Sequence, residues 1–194
     1  GEGLSGSEVV LDAVNYAFDK SVLIVAAAGN DSAENGLNLN TSPALPVCAD
    51  GERNAVLGVA AVDFTDKKAR FSNYGSNCID IAAPGTGTFI DRQQKQGLIS
   101  TYFDPETPNE HGLYAYVIGT SVAAPMVSGV AALVLSLNPN MDGKSLRDRL
   151  MVSVDNIDEM NKIGTNQANA MEVGLNLSVN TRISPKPASR SSRR

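Results

Sequence analysis

Apolar residues near the start of the chain recur at helical spacing, at Val10, Ala13, Val14, Ala17 and Phe18. This predicts an amphipathic helix running to about Asp19. Ser5 and Glu8 stand three apart ahead of that face, the spacing of a capping box. The pattern then changes. VLIVAAA, residues 22–28, is an unbroken apolar run between Ser21 and Gly29. A short, unalternating run suits a strand buried on both faces of a parallel sheet. AVLGVAAV (55–62) and IDIAA (79–83) read the same way, each followed by turn residues. The segments 36–54, 85–97 and 103–112 are rich in polar and turn-forming residues and read as surface loops. TSVAAPMVSGVAALVLSLN, residues 120–138, is apolar on nearly all sides. Its length predicts a helix, and all-round apolarity predicts a buried, central one. Pro125 falls in its opening turns, where a missing amide hydrogen costs least. Asp142 is placed to cap a last amphipathic helix, with Leu146, Leu150 and Val154 on its apolar side. Helices alternating with buried strands predict an α/β fold around an open, mostly parallel sheet.

Composition narrows this picture. The chain has 194 residues, a formal net charge of -5, two cysteines and one histidine. That length is one domain's worth and can bury a sizeable core. No uninterrupted apolar stretch reaches the roughly 18 residues of a membrane span. The sparse Cys and His content excludes a zinc finger or a His-rich metal site. The acidic balance argues against nucleic acid as the main partner. Charge is unevenly spread, since Arg182 to Arg194 carries five basic residues, no acidic one and a single aliphatic side chain, Ile183. Such a segment cannot offset its ordering entropy. Residues 1–180 are therefore expected to form the domain and 181–194 a disordered basic tail, with a role on nucleic acid or a membrane surface as the alternative. A start at Gly1 without methionine or a signal-peptide pattern suggests a piece of something longer, or a processed product.

Two positions carry candidate chemistry. Gly119-Thr120-Ser121 puts a serine hydroxyl in the first turn of the long apolar helix. An anion developing there would meet free backbone amides and the positive end of the helix dipole. The plain alternative is an ordinary helix cap. Asn30 follows a buried strand through Gly29, at the end where parallel sheets present ligand-binding loops. Its amide can donate to an oxyanion; Asn after Gly is equally a common turn former.

Taken together, longer blocks point further. VLIVAAAGN (22–30), SPA (42–44), LGVAAVD (57–63), FSNYG (71–75), IDIAAPG (79–85) and GTSVAAPMVSGVAALVLSLNP (119–139) resemble the subtilisin-like serine proteases, in family order and at roughly family spacing. Gly164, Asn166, Asn169 and Ala170 are similar to the family's C-terminal signature, with Asn166 where a second glycine is usual. The resemblance covers about residues 1–172. It implies a three-layer α/β fold, incomplete on its N-terminal side, and hydrolysis of protein or peptide substrates. Ser121 matches the nucleophile. Asn30 matches the side-chain donor of the oxyanion hole, with the Ser121 amide as second donor. Ala27, Ala28 and Gly29 match the strand that walls the primary specificity pocket, while Gly119 and Thr120 shape the approach to the nucleophile.

The departures are as informative. The family's catalytic aspartate and histidine lie upstream of its AAAGN block, before this chain begins. A serine without a base is a weak nucleophile. The lone His111 stands in a polar loop where the family has no catalytic histidine, and reads as a solvated residue. Met126 takes the place of a second, non-catalytic histidine found in many members. The expected partner is thus the upstream half of the same catalytic domain, and the competing reading is an inactive, protein-binding pseudoprotease. The uncovered sheet edge and helix faces should make the chain unstable alone. No cofactor is required for the chemistry, and the resemblance allows a structural calcium ion in the full domain. In the family the loops carrying Cys48 and Cys78 approach one another, which implies a disulfide and an oxidising, extracytoplasmic location; two free buried thiols are the alternative. Sequons stand at Asn30, Asn40 and Asn176. Asn30 is read as unmodified, the other two as chance or surface sites.

Overall fold

The structure is a computed structural model, and it describes residues 4–31, 34–87, 97–103, 105, 113–156 and 169–170. The three apolar runs form parallel strands. Strands β1 (Ile24–Ala27), β2 (Val56–Val62) and β3 (Ile81–Pro84) lie side by side, with Ile24 paired to Val56 and Val59 to Ile81. Every residue of β2 is buried, as expected of a strand covered on both faces.

Alternation along β2 divides the core in two. Val56, Ala60 and Val62 face helix α1 (Leu4–Asp19), whose Val14 is buried and whose Val10, Leu11 and Phe18 pack beside it. Leu57, Val59 and Ala61 face the other way, toward α2 (Thr120–Leu137) and α3 (Gly143–Met151). Helix, sheet and helix pair make the three expected layers. Gly58 is needed within β2, because a Cβ there would collide with the backbone of Cys78.

Several expectations shift in detail. Helix α1 starts at Leu4, so Ser5 lies inside its first turn rather than at its cap, and Ala13 is exposed while Leu11 turns inward. Helix α2 is covered on one side only. Ala123, Val127 and Ala131 press against the sheet, whereas Leu133 is 51% and Leu137 61% exposed. Among the described residues it is the one helix long and apolar enough to cross a membrane by length and composition; its packing on β1, β2 and β3 is that of a core helix. Helix α3 is capped as expected, with the Asp142 carboxylate accepting from the Ser145 amide at 2.7 Å.

Three pairings had no sequence signal strong enough to read. Strands β4 (Leu98–Thr101) and β5 (Tyr114–Val117) form a separate antiparallel ribbon. Two-residue strands β6 (Asp155–Asn156) and β7 (Asn169–Ala170) extend the main sheet, β7 running parallel to β3 and β6 antiparallel to β7. Asn169 and Ala170 of the C-terminal signature thus enter the sheet. Gly164, Asn166, His111, Asn176 and the basic tail lie outside the described residues.

Candidate active site

The carboxyl end of β1 meets the head of α2. The ladder continues one residue past β1, with the Ala28 amide donating to the Val59 carbonyl at 2.9 Å. The chain then turns at Gly29, whose φ of +98° lies in the region that glycine alone adopts without strain. Its amide donates to the hydroxyl of the buried Thr120 at 3.0 Å. That hydroxyl donates in turn to Asn30 Oδ1 at 3.1 Å, and the Thr120 amide reaches the same oxygen at 3.0 Å.

These bonds orient the Asn30 amide. A backbone N–H can only donate, so the atom facing Thr120 must be the carbonyl oxygen. Nδ2 is thereby turned outward toward Gly119. At Gly119 φ is +140°, and its amide is held by the Gly85 carbonyl at 2.8 Å. A Cβ placed on Gly119 would stand 3.0 Å from Ser121 Oγ and 3.3 Å from Asn30 Nδ2. The missing side chain leaves one space bordered by a hydroxyl and an amide donor. Ser121 is exposed in the first turn of α2, where Asn30 Oδ1 accepts from the Thr120 amide and the Gly119 carbonyl from the Val122 amide. A carbonyl oxygen turned into an oxyanion by attack of Ser121 Oγ would meet Asn30 Nδ2 at this space.

Ala27, Ala28 and Gly29 lead from β1 to Asn30, Ala28 buried and its two neighbours half-buried. Met126 is half-buried against the α2 side of the core. The described residues include no histidine. The full extent of the Thr120 bonding is new relative to the sequence reading, because a threonine between Gly and Ser gives no hint that its hydroxyl bridges two segments.

Away from the site, two ties hold the sheet to its surroundings. Cys48 and Cys78 are joined as a disulfide, with Cα atoms 4.8 Å apart. Arg147 on α3 reaches Asp80 at 2.5 Å, and the other Asp80 oxygen accepts from the Gly58 amide at 2.8 Å. Burial outweighs the guanidinium and pushes the Asp80 carboxyl up to about 6, with nearby Asp50 adding to the rise. The unfolded chain holds this group near 3.8, so between those values the folded state binds the extra proton. Through this group stability rises as the pH falls from about 7 to about 4, on the order of 2 kcal/mol. Urea unfolding across that range should show the rise, and Asp80→Asn should flatten it. A profile identical in the variant would contradict the assignment.

A parallel sheet with a serine at a helix head and an asparagine amide at a strand's carboxyl end defines a subtilisin-like α/β protein. The Subtilase family profile matches residues 1–174, and the chain belongs to that family. Subtilisin DY of Bacillus licheniformis is 32% identical over 155 residues, spanning 80% of this chain and 47% of that protein. An extracellular protease of Xanthomonas campestris is 36% identical over 140 residues, spanning 72% and 20%. Among solved structures, a protease from Pseudoalteromonas arctica superposes with a TM-score of 0.57 at 32% identity, over 76% of this chain and 40% of that one. The chain thus spans less than half the length of these relatives.

Proposed function

We propose that this chain carries the nucleophile and the oxyanion donors of a serine endopeptidase. One observation carries the reading: Ser121 Oγ and Asn30 Nδ2 border the single space left open by Gly119. Ser121 Oγ attacks the peptide carbonyl carbon while its proton passes to a base, and the carbonyl oxygen becomes an oxyanion held by Asn30 Nδ2 and the Ser121 amide. Collapse breaks the carbon–nitrogen bond, and the amine leaves with the proton. Water then cleaves the acyl ester and restores the hydroxyl. Ala27, Ala28 and Gly29 wall the pocket for the side chain preceding the scissile bond.

The histidine base and the aspartate that orients it come from a segment outside these 194 residues. The single histidine of the sequence supports this, as does the short span of the chain against its relatives. The same fact favours the second reading, a non-catalytic binding module. Protein or peptide substrates follow from the family, and an extracytoplasmic location is supported by the disulfide and by the extracellular relative.

A fluorophosphonate probe separates the two readings. The chain is treated alone and joined to a segment that supplies the histidine and aspartate. Labelling mapped to Ser121 in the longer protein is expected. Absence of labelling in both would leave the binding module.

A further inference from the structure

The turn that carries Asn30 is gripped from a second side. Asn73 is fully buried, yet its side-chain polar atoms and its backbone amide converge on residues 28–37. Its side-chain amide donates to the Ala28 carbonyl at 2.9 Å and to the Asp31 carboxylate at 2.5 Å. Its Oδ1 accepts from the Leu37 amide at 2.8 Å and from the Asp31 amide at 3.3 Å. Its backbone amide donates to the Gly29 carbonyl at 3.0 Å. Asn73 therefore bonds residues 28, 29, 31 and 37, and leaves Asn30 itself to Thr120.

The grip is itself held firmly. The Ser72 hydroxyl donates to the Asn73 carbonyl at 3.0 Å and accepts from the Ala61 amide of β2. The Lys68 ammonium donates to the carbonyls of Asn35, Ala69 and Ser72, and the Tyr74 amide donates to the Leu37 carbonyl. Gly29 completes the arrangement: a Cβ there would come within 2.6 Å of Asn73 Nδ2, so the glycine is what lets the asparagine approach.

A buried side chain that bonds the residues on both sides of one exposed residue sets that residue's position. We propose that Asn73 is a positioning residue for the reaction, fixing Asn30 Nδ2 at the space beside Ser121 through the residues on either side of Asn30, while Thr120 holds Asn30 itself. The inference rests on the catalytic reading of Ser121 and Asn30. It touches neither substrate nor the reacting atoms. Displacement of a catalytic group by about 1 Å can cost about 10²-fold in rate, which makes the clamp consequential.

The test combines a mutant cycle with an activity-independent readout. In the labelling-competent protein, Asn73→Ala is expected to lower the rate of Ser121 labelling about ten- to a hundredfold with Asn30 present, leaving half-saturation nearly unchanged. In the Asn30→Ala background the same change should cost less than about threefold, because its route is already gone. Equal factors in both backgrounds would mean general structural damage and would overturn the proposal. Should Asn73→Ala not fold, Asn73→Asp keeps the acceptor but sets two carboxylates together, and adding Asp31→Asn should restore part of the lost rate; no recovery counts against the clamp. If wild-type protein is never labelled, the catalytic reading has failed, and the clamp is judged by NMR on that same longer protein. The Asn30 side-chain amide resonances should then shift in whichever Asn73 variant folds, and unmoved resonances would refute the positioning.

Discussion

Asn30→Ala is expected to slow acylation of Ser121 by about 10²- to 10³-fold, with little change in the concentration for half-saturation. That magnitude is taken over from the loss of such a donor in a subtilisin-type enzyme; the geometry here supplies the direction. In the proposed mechanism negative charge develops at the space that Nδ2 borders, and the partner oxygen is pinned by two donors from Thr120. The interaction is strong only once the oxyanion exists, so it acts on the rate rather than on substrate binding. The substitution also leaves the buried Thr120 amide without its acceptor, which costs about 1–3 kcal/mol of stability. Asn30→Asp separates the two effects. It keeps the acceptor, removes the donor and places a negative charge at the oxyanion, so the rate should fall at least as far while the fold is spared. Labelling rates and urea midpoints for both variants check this.

The second large effect concerns the fold. Cys48 and Cys78 close a loop of 30 residues in sequence, and the chain-entropy account assigns such a loop about 3–4 kcal/mol. Set against a typical domain stability of about 5–15 kcal/mol, that is a large share. The bridge joins the 44–50 turn to the segment leading into β3, so its loss loosens the α1 face of the core where Val47, Ala49 and Ile79 are buried. Replacing both cysteines with alanine should lower the unfolding free energy by about that amount. Reductant should lower the wild type similarly and leave the double variant unmoved. A variant as stable as the wild type would show the bridge to be dispensable.

Much of the architecture was legible because strands buried on both faces must be apolar at every position. Residues 22–28 and 55–62 have that character, 79–83 has it apart from Asp80, and each supplies a strand. The ribbon of β4 and β5 escaped notice for the opposite reason. Tyr114 and Tyr116 face outward and are exposed beside half-buried Ala115 and Val117, so no apolar run marks the strand. Helix α2 was legible as a helix but not in its cover, since an apolar sequence records what a helix can bury and not what lies beside it. Ser121 and Asn30 stood out through motif and position. The bonds that align them did not, because the Thr120 hydroxyl and the Asn73 amide work across 90 and 42 residues of sequence. Asn73 was visible only as one letter of FSNYG.

The central claim is that Ser121 becomes covalently acylated during peptide-bond or ester cleavage. Acid quenching of the longer protein during turnover of a peptide ester, followed by peptide mapping, measures this directly. An acyl group on Ser121 is expected, and Ser121→Ala should lose both it and the hydrolysis. Hydrolysis that persists in Ser121→Ala, or an acyl group mapped to another residue, would contradict it.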